Sequence, residues 1–74
     1  KIKIKINGHT SNEGSIRYNN QLSYDRANAV YQFLKSYGII NQMEVFGYGS
    51  SQQIYNQNDE QNNPKNRRVE IELD

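Results

Sequence analysis

Arg26 is the side chain in this sequence best equipped for recognition chemistry. It lies within Leu22-Ser23-Tyr24-Asp25-Arg26-Ala27-Asn28-Ala29-Val30, on an edge shared with Val30 where a purely structural helix would carry something small or apolar. Two readings fit it. Its planar five-donor fork suits a ligand carboxylate. Alternatively, its aliphatic stem covers core surface while the guanidinium reaches water or a carboxylate such as Asp25. Both stay open at this level. The other chemistry-bearing residues have weaker cases. His9 is the only histidine and there is no cysteine, so metal ligation lacks a second donor and a satisfied structural histidine fits better. Ser11 lies near His9, but neighbours on one loop seldom hold attack geometry and no third residue orients them. Gly47-x-Gly49 has neither the third glycine nor the following helix of a dinucleotide fingerprint, and reads as a turn. No acid and base are spaced for catalysis, so no catalytic residue, cofactor or metal is assigned. Arg67 reads as an ion-pair partner or a rim contact and Arg68 as an outward strand residue, while Tyr18, Tyr31 and Tyr37 read as half-buried packing rather than sugar-stacking platforms.

The elements that must position these residues follow from local pattern. Ser23 is a candidate helix cap, with Asp25 complementing the positive end of the dipole, so the main helix is expected from about Ser23 to Tyr37. Ala27, Val30 and Leu34 form its buried stripe, with Arg26, Val30, Phe33 and Tyr37 beside it. Gly38 closes the helix in the left-handed conformation. Ahead of it, Ile16 to Leu22 is expected as a short helical turn with Tyr18 and Leu22 folded inward. Lys1 to Ile6 alternates Lys and Ile, the signature of a strand with Ile2, Ile4 and Ile6 inward. Asn7 to Ser15 reads as a structured loop at the carboxyl end of that strand, where ligand sites gather in α/β architectures. Met43 to Tyr48 is expected as a second strand, parallel to the first, with Val45 inward. Ser50 to Asn66 reads as a long surface loop pinned by Ile54 and Tyr55, with a helical turn near Asp59 to Gln61. Arg67 to Leu73 closes the chain as a strand burying Val69, Ile71 and Leu73. Its acidic outward row matches the lysine row of the first strand and favours pairing the two, which makes the first strand central.

Composition narrows the function classes. Seventy-four residues make one small domain with a thin core and no room for a large enclosed active site. A net charge of +1 with interspersed signs gives no nucleic-acid footprint and no polybasic membrane anchor. No apolar run reaches the roughly 20 residues of a membrane span. One helix over a small sheet looks incomplete, so a strand and helix are expected ahead of Lys1 in a longer parent.

Four segments carry a family resemblance. Gly8-His9-Thr10, Asn19-x-x-Leu22-Ser23-x-x-Arg26-Ala27-x-x-Val30-x-x-x-Leu34, Gly47-Tyr48-Gly49 and Asn66-Arg67-Arg68-Val69-Glu70 resemble the OmpA-like carboxy-terminal domain. That family includes the peptidoglycan-associated lipoprotein and the periplasmic domain of the MotB stator protein. The resemblance covers residues 1–74 and implies an α+β fold. That fold is a small mixed sheet with a helix on one face, βαββ, a truncated form of the βαβαββ sandwich lacking the family's first strand and helix. It implies a non-catalytic module of the Gram-negative periplasm, tethered to the outer or inner membrane by other parts of the parent. Its partner would be peptidoglycan, held by the diaminopimelate of the stem peptide. The family's binding arginine falls on Arg26. Its loop aspartate does not carry over, because Ser11 occupies that position. The implied ligand set is Arg26, Ser11, Thr10, Asn12, Glu13, Asn19 and Leu22, with Glu13 as the nearest substitute carboxylate. Ser11 also leaves open an alternative: a degenerate scaffold in a secretion or motility complex, partnered by copies of itself or by envelope proteins, that has lost wall binding.

Overall fold

The computed structural model describes residues 2–53 and 63–74. Four main elements follow in the order β1 (Ile4–His9), α1 (Ile16–Ser36), β2 (Met43–Gly47) and β3 (Arg68–Leu73), with a short 3-10 turn at Asn63–Asn66 ahead of β3. The architecture is α+β, a mixed sheet of order β2-β1-β3 with one helix on it. β1 is central, parallel to β2 with Ile6 opposite Val45, and antiparallel to β3 with Ile6 opposite Ile71. No helix among the described residues is long and apolar enough to cross a membrane.

The strand and helix bounds differ from the local reading for tertiary reasons. β1 starts at Ile4 and continues through Asn7, Gly8 and His9 because it pairs with β2 from Ile4 to Gly8 and with β3 from Ile4 to His9. Ile2 is left half exposed, and the loop shrinks to residues 10–15. The helix is a single element begun about two turns early. Ser15 caps it, its hydroxyl accepting from the Tyr18 amide at 3.1 Å, and nothing between Ile16 and Ser36 breaks it. Ser23 is therefore not a cap. Wholly buried, it donates to the Asn20 carbonyl at 2.9 Å and accepts from the Gly49 amide at 2.9 Å. At the far end Tyr37 caps the helix and Gly38 takes φ +86°, as its position predicts. The helical turn expected near Asp59 to Gln61, and the pinning residues Ile54 and Tyr55, lie outside the described residues.

The core is small. Ile6 and Ala27 are its fully buried apolar residues among those described. The helix approaches so closely that a Cβ on Gly8 would overlap the Ser23 carbonyl, and one on Gly47 would come within 2.7 Å of the Tyr24 backbone. Contact at glycine sets the helix height over β1 and β2. It does not reach across β3, so the expected burial there fails: Ile71 is 51% and Leu73 66% exposed. Phe33 and Tyr37, on the helix edge, are exposed too, packed edge to face against each other.

On the outer face the lysine and acidic rows do meet. Lys5 pairs with Asp74 at 3.3 Å, one step diagonal to its register partner Glu72, which instead accepts from Asn7 at 2.7 Å. Lys3 turns the other way, to Glu44 on β2 at 3.5 Å.

Candidate functional site

At the carboxyl end of β1 the chain enters the short loop that separates it from α1, and a cleft of about 260 Å³ opens between them. Thr10, Ser11 and Glu13 line it from the loop, Tyr18, Asn19, Leu22 and Arg26 from the helix, and Arg67 from the threshold of β3. Starting at Ser15 matters here. The extra helical turns carry Tyr18, Asn19 and Leu22 to the cleft on the same rigid element as Arg26.

A relay of hydrogen bonds holds the loop against the helix. Ser23 fixes the Gly49 amide from inside α1, and the Gly49 carbonyl accepts from the Thr10 amide at 2.8 Å. Gln53 donates to the Thr10 carbonyl at 3.0 Å, so the Thr10 backbone is tied on both sides. Its hydroxyl is not. Thr10 is 2% exposed, yet Oγ1 has no hydrogen-bond partner among the described residues. A buried hydroxyl without a partner carries a desolvation cost, one that a ligand's polar atom removes.

Arg26 is similarly uncommitted. It is exposed and makes no hydrogen bond or ion pair among the described residues, while Asp25, the neighbour considered for it, accepts from Gln21 at 2.8 Å. Pairing with Asp25 is therefore ruled out as the account of this arginine. Glu13 is held differently: the buried Ser11 donates its hydroxyl to Glu13 Oε1 at 3.1 Å.

Six of the seven expected site residues thus converge on one cleft, namely Thr10, Ser11, Glu13, Asn19, Leu22 and Arg26. Asn12 does not; its exposed residue is absent from the lining. Two residues are added. Arg67 arrives from 41 positions beyond Arg26, brought in because β3 pairs antiparallel with β1 as far as His9 opposite Arg68. The expectation of a rim contact pointed to it. Tyr18, expected inward, is 61% exposed and stands on the cleft edge.

His9 stays outside the cleft. Buried to 1% exposure, it stacks on Tyr48 with ring centroids 5.4 Å apart. It is a structural histidine, but not a satisfied one. Among the described residues neither ring nitrogen has a hydrogen-bond partner, and the 3.5 Å from Nε2 to Glu70 is an electrostatic contact only. Burial lowers its pKa from the ordinary 6.5, Arg68 adds to that, and Glu70 opposes it. Arg68 is fully engaged. It binds Glu70 at 2.9 Å and the carbonyls of Asn66 and Gln52 at 3.2 Å each, and its bond holds the Glu70 carboxyl below its ordinary pKa. Among the described residues no group of three His, Cys, Asp or Glu side chains is placed to hold a metal ion.

Comparison with known proteins places this geometry. The OmpA family model matches residues 1–67. The chain is 42% identical over 70 residues to the peptidoglycan-associated lipoprotein of Buchnera aphidicola subsp. Baizongia pistaciae, covering 93% of this chain and 40% of that protein. Among solved structures, the peptidoglycan-associated lipoprotein from Burkholderia pseudomallei matches with a TM-score of 0.92 at 31% identity, over 99% of this chain and 63% of that one. The C-terminal domain of Helicobacter pylori MotB matches at 0.89 and 31% identity, over 100% of this chain and 58% of that one. The chain spans about two-fifths of the length of the first curated relatives it matches. It belongs to the OmpA family.

Proposed function

We propose that this chain is a peptidoglycan-binding module of the periplasm. It anchors a membrane-tethered parent by gripping the diaminopimelate of a stem peptide in the cleft between β1 and α1. One observation carries the reading: Arg26 presents an uncommitted guanidinium to a cleft whose Thr10 hydroxyl is also unspent. A protein that needed Arg26 only for packing would have no reason to leave polar groups open around it. Support also comes from the relatives, two of whose names state peptidoglycan association.

In this mode Arg26 donates a forked pair of bonds to a ligand carboxylate, Thr10 and Asn19 offer neutral polar contacts, and Leu22 packs against the aliphatic chain. A charge-assisted pair of this kind contributes about 1.5–3 kcal/mol, roughly 10- to 100-fold in affinity. Sedimentation with purified diaminopimelate-type sacculi tests it. The wild-type chain is expected in the pellet and Arg26→Ala in the supernatant, with unchanged circular dichroism. Wild type remaining in the supernatant would overturn the reading and favour an interaction scaffold.

A further inference from the structure

β2 is an edge strand whose free side runs into a second hollow, at the far end of α1 from the cleft. Even-numbered residues of β2 bond to β1. The Gln42 carbonyl accepts from the Ile4 amide at 2.9 Å, the Tyr48 amide donates to the Gly8 carbonyl at 3.0 Å, and the even spacing of a parallel ladder assigns Glu44 and Phe46 the same side. The amides and carbonyls of Met43, Val45 and Gly47 therefore point outward, and no strand meets them among the described residues. Proteins blunt such edges with lysine, proline or an unspent charge. Met43 to Gly47 contains no lysine or proline, and its one charge, Glu44, is turned to Lys3 on β1 at 3.5 Å.

At Gly47 the helix presses on β2, so that a Cβ there would meet the Tyr24 backbone. Toward Met43 a hollow of about 530 Å³ separates helix and strand. Tyr31, Ile39, Ile40 and Met43 give it apolar walls, and Lys35 is the charged side chain in its lining. Lys35 Nζ stands over the Tyr31 ring, 5.6 Å from the centroid, and forms no ion pair among the described residues. A bare strand edge accepts an extended backbone, an apolar hollow accepts a side chain, and an unpaired cation accepts a carboxylate. We propose that β2 receives an extended segment of a partner protein as a fourth strand, with an apolar side chain in the hollow and a neighbouring carboxylate on Lys35. Main-chain bonds to Met43 and Val45 supply affinity, while the hollow and Lys35 supply selectivity. The surface is separate from the cleft and independent of wall binding.

Panning the full chain against displayed random peptides of about ten residues, the length of a long strand, tests this. Recovered sequences should alternate, and combine an apolar residue with Asp or Glu. Lys35→Gln, a change on the exposed helix surface, should weaken the synthesised peptides about tenfold or more, the scale of one charge-assisted bond. Val45→Pro deletes an edge amide that β1 does not use and should abolish their binding. Both variants should keep the wild-type circular dichroism and sediment with sacculi as wild type does. Recovery of no acid-bearing peptide, or full affinity for Lys35→Gln, overturns the proposal. Self-association of wild type that Val45→Pro abolishes would assign the edge to a second copy and overturn it equally.

Discussion

The outer face of the sheet and the cleft at the end of β1 contain similar side chains arranged to opposite ends. On the sheet every charge finds its neighbour: Lys3 with Glu44, Lys5 with Asp74, Arg68 with Glu70, and Asn7 with Glu72. In the cleft, among the described residues, Arg26 pairs with nothing, Glu13 is met only by a serine hydroxyl, and the Thr10 hydroxyl is buried without a partner. Pairing on an exposed sheet face trims repulsion between strands and contributes little else. Leaving groups open in a half-enclosed cleft costs stability, and a small domain accepts that cost where a ligand repays it. The contrast separates the charges that hold the fold from those that the proposed recognition would use.

The most disruptive way to test the contrast is to remove the junction between the two regions. Gly8 sits where β1 passes under the helix, and any Cβ there meets the Ser23 carbonyl, which is backbone and cannot rotate aside. Gly8→Ala should push α1 off β1 and cost about 3 kcal/mol, enough to unfold much of a domain this small at room temperature. A urea midpoint within experimental error of wild type would show that the close approach is not what sets the helix height.

A smaller and more pointed test sets two arginines against each other. Arg68→Ala removes bonds to Glu70, Asn66 and Gln52, and should lower stability by about 1 kcal/mol without moving ligand affinity. Arg26→Ala should do the reverse. Thermal melts paired with sacculus sedimentation read both quantities from the same preparations. A crossed result, in which Arg68→Ala abolishes sedimentation while folding normally, would erase the distinction between the two regions.

How much of this was legible beforehand depends on whether a residue's role is local. The alternation of Lys1 to Ile6, the stripe around Ala27 and the turn at Gly38 specify strand, helix and stop, and the structure contains all three. The helix start was misplaced because Ser15 and Ser23 are equally good caps by type. What separates them is the Gly49 amide, which arrives from 26 residues away and claims the Ser23 hydroxyl. The strand start moved for the same kind of reason, pairing with β2 overriding alternation. The inward face of β3 was read correctly as apolar but not as uncovered, since where α1 ends sideways is decided by glycine contacts with β1 and β2. Arg26 and its loop partners were readable because the motif keeps them within about one loop and two helical turns. Arg67 needed the antiparallel register to reach them.

His9 supplies the mildest effect and the one most specific to the contrast, because it is a titratable group on the structural side placed one residue before the cleft. Its folded pKa is lowered from 6.5, first by burial and then by Arg68, with Glu70 pulling the other way. The unfolded chain titrates near the ordinary value. As pH falls through 6.5 the unfolded state takes up a proton that the folded state refuses, so stability declines, and the decline levels off once pH passes below the folded pKa. Above 6.5 both states are neutral and His9 adds no slope. Urea midpoints measured from pH 7.5 to pH 5 should therefore fall in wild type and fall less in His9→Gln. The imidazole resonance, which belongs to the only histidine in the chain, should titrate below its free value. Ligand affinity corrected for the folded fraction should stay level over the same range, since neither ring nitrogen lines the cleft. An affinity that drops with the imidazole titration would mean that protonating His9 reaches Thr10 and Ser11 through the backbone, and that the two regions are coupled rather than separate.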